Sequence, residues 1–443
     1  MSNYTILGRY LITSANEAPK AGYGVRIIGN RIADIDSNEN LKKRSIGSSL
    51  IDATDKIIMP GFINTHMHMY AMLAQGMPTN NIRTDLYYDL IDSWWPKIED
   101  QMDHEAIRVS AALAVMSSIR SGVTTICDVM EAPYALPGCL EVAGKVLDEA
   151  GMRAILSFEA SERVSEKYGQ LGLEENASFI RNHPTGRSRI SGMMSVHTTF
   201  SGSLPFLKKG RQLAVKLGSF IHMHLSESQY EALHCLRNYC MLPFEVYEAI
   251  GFLGKDVLAS QCVHVRPREI PIMARHGVNV SHQPMSNASS GRGIAPVTDF
   301  LANGIPVGIG TDGNCRNHFE VLRSAFLIQR AHLLDGTVVP PNTLFDMATA
   351  TGARAIGMDD TGTLKKGNLA DMILLESNFS MPVTLNNLIS LVINFRDPQD
   401  VNTVIIDGEL VMKDRKLVTM DEEQVRTDAQ AIAQRVWKKG NTN

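Results

Sequence analysis

The chain is short of the features that mark several large protein classes. It carries six cysteines in 443 residues, at positions 127, 139, 235, 240, 262 and 315. That is too sparse for a disulfide framework. Cys235 and Cys240 fall near one helix face, but no C-x-x-C pair exists, so the thiols read as reduced residues partly in the core. No apolar run reaches the length of a membrane-spanning helix. The net charge of −4 leaves no excess of either sign, so neither a nucleic-acid face nor a membrane surface is expected. Met1-Ser2-Asn3-Tyr4-Thr5 lacks the basic region and long apolar run of a secretory signal, and the expected location is the cytoplasm. There is no internal repeat, no low-complexity segment and no glycine-rich nucleotide loop after a strand. His104-Glu105 is followed by Arg108, which excludes the zincin helix pattern. The paired cysteines of the zinc cytidine deaminases are also missing.

What is present is an ordinary globular composition, 44% hydrophobic and 20% charged. The middle of the chain alternates strand-like and helix-like segments, which argues for a parallel α/β architecture. Strand candidates cover 59–65, 122–129, 152–159, 189–197, 219–225, 257–263, 278–283 and 305–311, the eight that a closed barrel needs. Helical patterns fall between them, as at 105–120, 139–150, 205–217 and 298–303. The two ends read as short strands with turns at Gly29-Asn30 and Asp407-Gly408, and 421–439 carries a closing helix.

The chemistry starts at Pro60-Gly61-Phe62-Ile63-Asn64-Thr65-His66-Met67-His68. A strand alternates its faces, so His66 and His68 point the same way and make half of a metal site. Two later runs end in matching groups. One reaches His222-Met223-His224-Leu225-Ser226-Glu227, and the other reaches Thr311-Asp312-Gly313. A parallel barrel builds its active site at these C-terminal strand ends. Three imidazoles and one carboxylate suit zinc or ferrous iron.

On these motifs, with Ser281-His282-Gln283-Pro284-Met285-Ser286-Asn287 and Gly362-Thr363-Leu364-Lys365-Lys366-Gly367-Asn368-Leu369-Ala370-Asp371, the chain resembles the amidohydrolase superfamily. The likeness is to its metal-dependent aminohydrolases, such as guanine deaminase, S-adenosylhomocysteine and methylthioadenosine deaminases and s-triazine hydrolases. The resemblance implies a (β/α)8 TIM-like barrel over 59–361 and a small β-sandwich domain from both chain ends, 1–58 and 362–443. It implies one divalent ion, zinc with iron as the alternative, held by His66, His68, His224 and Asp312. His224 is preferred over His222 because Glu227 follows it at the family's spacing. The fourth strand ends Met194-Ser195-Val196-His197-Thr198, without the lysine that bridges two metals in binuclear relatives, so a single metal is expected.

The implied reaction is hydrolytic deamination of an aminated N-heterocycle, a purine, pterin, pyrimidine or triazine. Metal-bound hydroxide attacks the ring carbon, Asp312 takes the water's proton, and Glu227 carries a proton to a ring nitrogen and then to departing ammonia. Two alternatives stay open. One is the same fold acting on a cyclic amide or displacing chloride or an alkylamine from a ring. The other is a weakly active binding protein, motivated by Gln261. That residue stands where relatives carry a histidine that orients the attacking group; an amide donates a hydrogen bond but carries no charge. His264 is expected on the strand's other side. His197, Trp94 from the aromatic loop after the first strand, His282 and Arg316 are the candidate substrate contacts, while Arg153 at a strand start reads as structural. A homo-oligomer, dimer or larger, is the family's expectation.

Overall fold

The computed structural model describes residues 3–78, 87–313 and 317–442. Eight parallel strands form the centre: β1 (Phe62–Met67), β2 (Val123–Met130), β3 (Arg153–Phe158), β4 (Ile190–Gly192 continuing in Met194–Ser195), β5 (Ile221–Leu225), β6 (Val257–Gln261), β7 (Asn279–His282) and β8 (Val307–Ile309). Strand pairing draws them as two arcs. β1 to β3 pair on to the first part of β4, and the second part of β4 leads through to β8. Parallel bridges Ala160↔Val196 and Met67↔Asp312 lie at the two seams. The amides of Thr311 and Asp312 both donate to the His66 carbonyl, at 3.0 and 3.1 Å. The order is that of the TIM-barrel type. Every residue of β1, β2, β3, β5 and β6 is buried. These strands read as apolar runs because helices cover their outer face.

The helices fall where the periodicity puts them, over His104–Arg120, Cys139–Glu149, Leu204–Leu217 and Val297–Ala302. Local chemistry sets their ends. The side chains of Asp103 and Ser203 accept from the amides of Ala106 and Phe206, and Gly218, at φ 62°, stops the third helix in the left-handed region.

Strands from both chain ends join in a single nine-stranded sheet, where the resemblance implied a sandwich. The reason is the strand Ser49–Pro60. It pairs in parallel with Asn3–Leu11 on one edge and antiparallel with Met372–Glu376 on the other, so both ends add to one sheet. Asp407 and Gly408, at φ 54° and 77°, make the tight turn between Val401–Ile406 and Glu409–Lys413. The last helix, Glu422–Thr442, lies on the barrel: Arg435 bonds Asp103 and Glu105, and Trp437 Nε1 donates to the Leu73 carbonyl at 2.7 Å. Arg153 is structural, as its position suggests. It is 3% exposed at the start of β3 and bonds Asp371 and Asp407 of the terminal sheet. Among the described residues, no helix is long and apolar enough to cross a membrane.

Candidate active site

The strand ends bring the four expected ligand side chains together. The donor atoms of His66, His68 and His224 lie within 4.8 Å of one another, and all three residues are buried. Asp312 Oδ1 stands 3.5 Å from His68 Nε2 and 3.9 Å from His66 Nε2. His68 Nε2 and His224 Nε2 face each other at 3.3 Å. His66 Nε2 is buried without a hydrogen-bond partner. A buried imidazole nitrogen left unpaired, aimed among two other imidazoles and a carboxylate, fits a divalent cation and fits little else.

The far side of each ring is anchored. His68 Nδ1 lies 2.8 Å from the Val129 carbonyl, which fixes the Nδ1–H tautomer and leaves Nε2 its lone pair. His66 Nδ1 pairs with His222 Nε2 at 3.0 Å, so His222 sits behind the His66 ring and outside the cluster. His224 Nδ1 lies 2.7 Å from Glu159 Oε1. Asp312 sits just beyond β8 at φ 60°, a left-handed turn that aspartate tolerates. Gln261 Nε2 and Ser286 Oγ both donate to its Oδ2, at 2.8 and 2.7 Å, and the Gly313 amide donates to Oδ1 at 2.8 Å. Burial alone would raise the Asp312 carboxyl, but the His68 ring and these donors outweigh it and hold it below the usual range. Gln261 thus holds the Asp312 carboxylate.

Glu227 follows β5 through Ser226 at φ 54°. The Tyr87 hydroxyl donates to its Oε2 at 2.9 Å, Arg292 Nε lies 3.8 Å from Oε1, and the Arg292 guanidinium rests 4.5 Å over the Tyr87 ring. Burial pushes the Glu227 carboxyl up, with His224 opposing. A carboxyl raised in this way is suited to hold and release a proton.

These groups open on a cavity of about 460 Å³, which His197 and Trp94 also line. His282 does not line it. The helix Pro284–Ser289 lies over the end of β7 and presents Ser286 there instead, leaving His282 3% exposed with neither ring nitrogen partnered. Arg316, the other candidate contact, lies outside the described residues, and His318 beyond it is 1% exposed and packs 5.2 Å from the Phe62 ring. His264 is off the cavity as expected, though not by strand alternation. Gln261 and Cys262, at φ 74° and 49°, end β6 in a turn, and His264 Nε2 holds the Arg292 carbonyl at 2.7 Å.

The sequence reading missed an acidic wall. Glu99, Glu131 and Glu159 line the cavity with Arg163 and Tyr70. The Tyr70 hydroxyl donates to Glu99 at 2.9 Å, and Arg163 reaches Glu99, Asp100 and Glu131 at 3.2, 2.9 and 3.1 Å. Burial and the neighbouring Glu159 carboxylate push Glu131 up to about 7. One signal was available, because Glu131 and Glu159 are the first residues past the ends of β2 and β3.

Residues 57–411 match the model of the amidohydrolase family. A 5'-deoxyadenosine deaminase of Methanosphaera stadtmanae is 31% identical over 93% of this chain and 95% of its own. A 5-methylthioadenosine/S-adenosylhomocysteine deaminase of Halothermothrix orenii is 34% identical over 96% and 97%. The crystal structure of an adenosine deaminase from Xanthomonas campestris with bound zinc superposes with a TM-score of 0.87, at 21% identity, over 98% of each chain.

Proposed function

The chain belongs to the amidohydrolase family, and on that premise we propose that it deaminates a 6-aminopurine nucleoside hydrolytically. It is a hydrolase of C–N bonds of the deaminase kind, and the nucleoside is the finer reading. The observation that carries the proposal is the buried trio of His66, His68 and His224 with the Asp312 carboxylate against it and the raised carboxyl of Glu227 beside it. The trio and Asp312 would hold one divalent ion, zinc before iron. The barrel, 59–361, would be the catalytic unit and the chain ends, 1–58 and 362–443, the second domain. The enzyme would be a cytoplasmic homo-oligomer.

A bound zinc ion would lower the pKa of a water from 15.7 to about 7 and so make a nucleophile available near neutral pH. Asp312 would take a proton from the attacking water, and Gln261 and Ser286 hold its Oδ2 so that Oδ1 keeps its aim. Glu227 gives its own proton to a ring nitrogen of the substrate, which makes the adjacent carbon electrophilic. Tyr87 and Arg292 keep Glu227 in place through that transfer. Glu227, now a carboxylate, takes the proton of the hydroxyl added at the ring carbon and passes it to the amino group, which departs as ammonia as the C–N bond breaks, and the proton held by Asp312 returns to Glu227. His197 and Trp94 wall the ring side. Glu99 and Glu131, turned to the cavity, offer acceptors for sugar hydroxyls. The names of the relatives support a nucleoside, and a cavity of about 460 Å³ is within the range of small-molecule sites.

The test is ammonia release by zinc-loaded enzyme from 5'-deoxyadenosine, methylthioadenosine, S-adenosylhomocysteine, guanine, pterins and aminotriazines. Release from the adenine nucleosides alone is expected. Turnover of chlorinated or alkylamino triazines, with chloride or amine as product, would overturn the nucleoside in favour of displacement on a ring.

A further inference from the structure

We propose that Glu159 is a positioning residue of the metal centre: its carboxylate orients His224 through Nδ1 and ties that ligand to the substrate-side His197. The inference rests on the metal site proposed above. Glu159 is the first residue past β3. Its amide donates to the Met130 carbonyl at 2.7 Å, which fixes its backbone against β2, and its side chain is 2% exposed. A carboxylate so deep requires a partner. Arg163, which lines the same cavity, is taken up by Glu99, Asp100 and Glu131. What Glu159 has instead is His224 Nδ1 at 2.7 Å and His197 Nε2 at 3.6 Å, two rings set 5.3 Å apart and nearly perpendicular. The first distance is that of a close ion pair between ring nitrogen and carboxylate, and the second is a looser contact.

The consequence for His224 is specific. With Nδ1 held 2.7 Å from the Glu159 carboxylate, the ring proton belongs on that side, which leaves Nε2 its lone pair facing His68 Nε2, where the ion would sit. A carboxylate acceptor fixes the ring and makes it a stronger donor. The other ligands rest on neutral groups: a carbonyl behind His68, a ring behind His66, an amide and a hydroxyl on Asp312. His224 alone among the four has a carboxylate behind it. It is also the ligand that precedes Glu227 by three residues. Fixing its ring fixes the start of the segment that carries the proton-bearing carboxyl. Through His197, which lines the cavity, the same carboxylate bears on the wall the substrate meets.

Glu159, His197 and His224 also have donor atoms within 4.8 Å of one another, so a second cation there is the competing account. The experiment compares the full-length wild type with Glu159→Gln, which keeps the shape, and Glu159→Asp, which keeps the charge. It reads zinc stoichiometry and zinc affinity against a chromophoric chelator, together with kcat and KM for 5'-deoxyadenosine. The expected result is one zinc per wild-type chain and roughly 10–100-fold weaker zinc binding in Glu159→Gln. Partial recovery in Glu159→Asp is expected, and at saturating zinc a loss in kcat larger than the change in KM. Equal zinc affinity in wild type and Glu159→Gln would overturn the proposal while leaving the deaminase reading intact. So would two zinc ions per wild-type chain with one lost in the variant. A wild type that binds no zinc would remove both readings together. Zinc binding without ammonia release would remove the deaminase alone.

Discussion

One strand carries a buried charge at each end, and the two ends behave oppositely. At the start of β3, Arg153 gives Nε to Asp371 Oδ2 at 2.7 Å and Nη2 to Asp371 Oδ1 and Asp407 Oδ1 at 3.1 and 2.8 Å. Thr361 and the Asp407 amide fill the rest of the Asp371 carboxylate. The cluster is closed and welds the barrel to the terminal sheet. Just past the other end, Glu159 Oε1 is buried without a hydrogen-bond partner, as are His197 Nδ1 and, on other strands, His66 Nε2, Asp128 Oδ2 and Gln261 Oε1. Burial penalises both clusters. Only the first recovers the loss within the protein. The second is finished by something that arrives, which is the usual division between the stability face and the active face of a barrel.

The sharpest way to break the contrast is to alter one member of each cluster and read both activity and stability. At the open end, Glu227→Gln should cut kcat by about 10²–10⁴ while bound zinc and the unfolding midpoint stay as in the wild type. Ammonia release and metal content measure this, and turnover near the wild-type rate would remove the proton-carrying role. At the closed end, Asp371→Ala should lower stability by about 3–5 kcal/mol, because it leaves Arg153 buried with a partner missing. Urea unfolding measures that loss, and kcat per folded molecule should not change. A variant that unfolds like wild type but turns over slowly would show that the two ends are coupled and that the contrast is false.

How much of this was legible beforehand follows from what each feature depends on. The eight barrel strands were readable to within a few residues because full burial makes an apolar run, and a polar group marks its end. His66, His68 and His224 were readable for the same reason: strand alternation is a property of the local chain. Glu99, Arg163 and Arg292 were not. They lie outside the barrel strands, and only the folded chain brings them to the cavity. Glu159 had a visible position but no visible partner, since Ser157-Phe158-Glu159-Ala160 looks like any strand end. His282 misled because a motif match says nothing of the helix that covers it. At Gln261 the alternation rule lapses. A left-handed residue there swings the amide onto Asp312, and no pleat predicts that. The single sheet at the chain ends was hidden because the strand Ser49–Pro60 can take partners on both edges.

His318 belongs to neither cluster, and it sharpens the comparison by supplying a buried group that no ligand completes. Its ring lies against Phe62, 1% exposed, with both nitrogens unpartnered, and burial pushes its pKa down to about 3. In the unfolded chain the ring takes a proton near pH 6.5. Below that pH the unfolded state holds one proton more than the folded state, so stability falls as pH falls, until the folded ring also protonates near 3. The slope for one such group approaches about 1.4 kcal/mol per pH unit. His318→Leu removes this group's share. Between pH 6 and 4.5 the variant should therefore lose less stability than the wild type, by up to about 2 kcal/mol. Urea unfolding at the two pH values reads the difference. Equal losses would mean that the ring finds a proton acceptor in the folded protein, and that the barrel leaves no polar group uncompensated away from its active face.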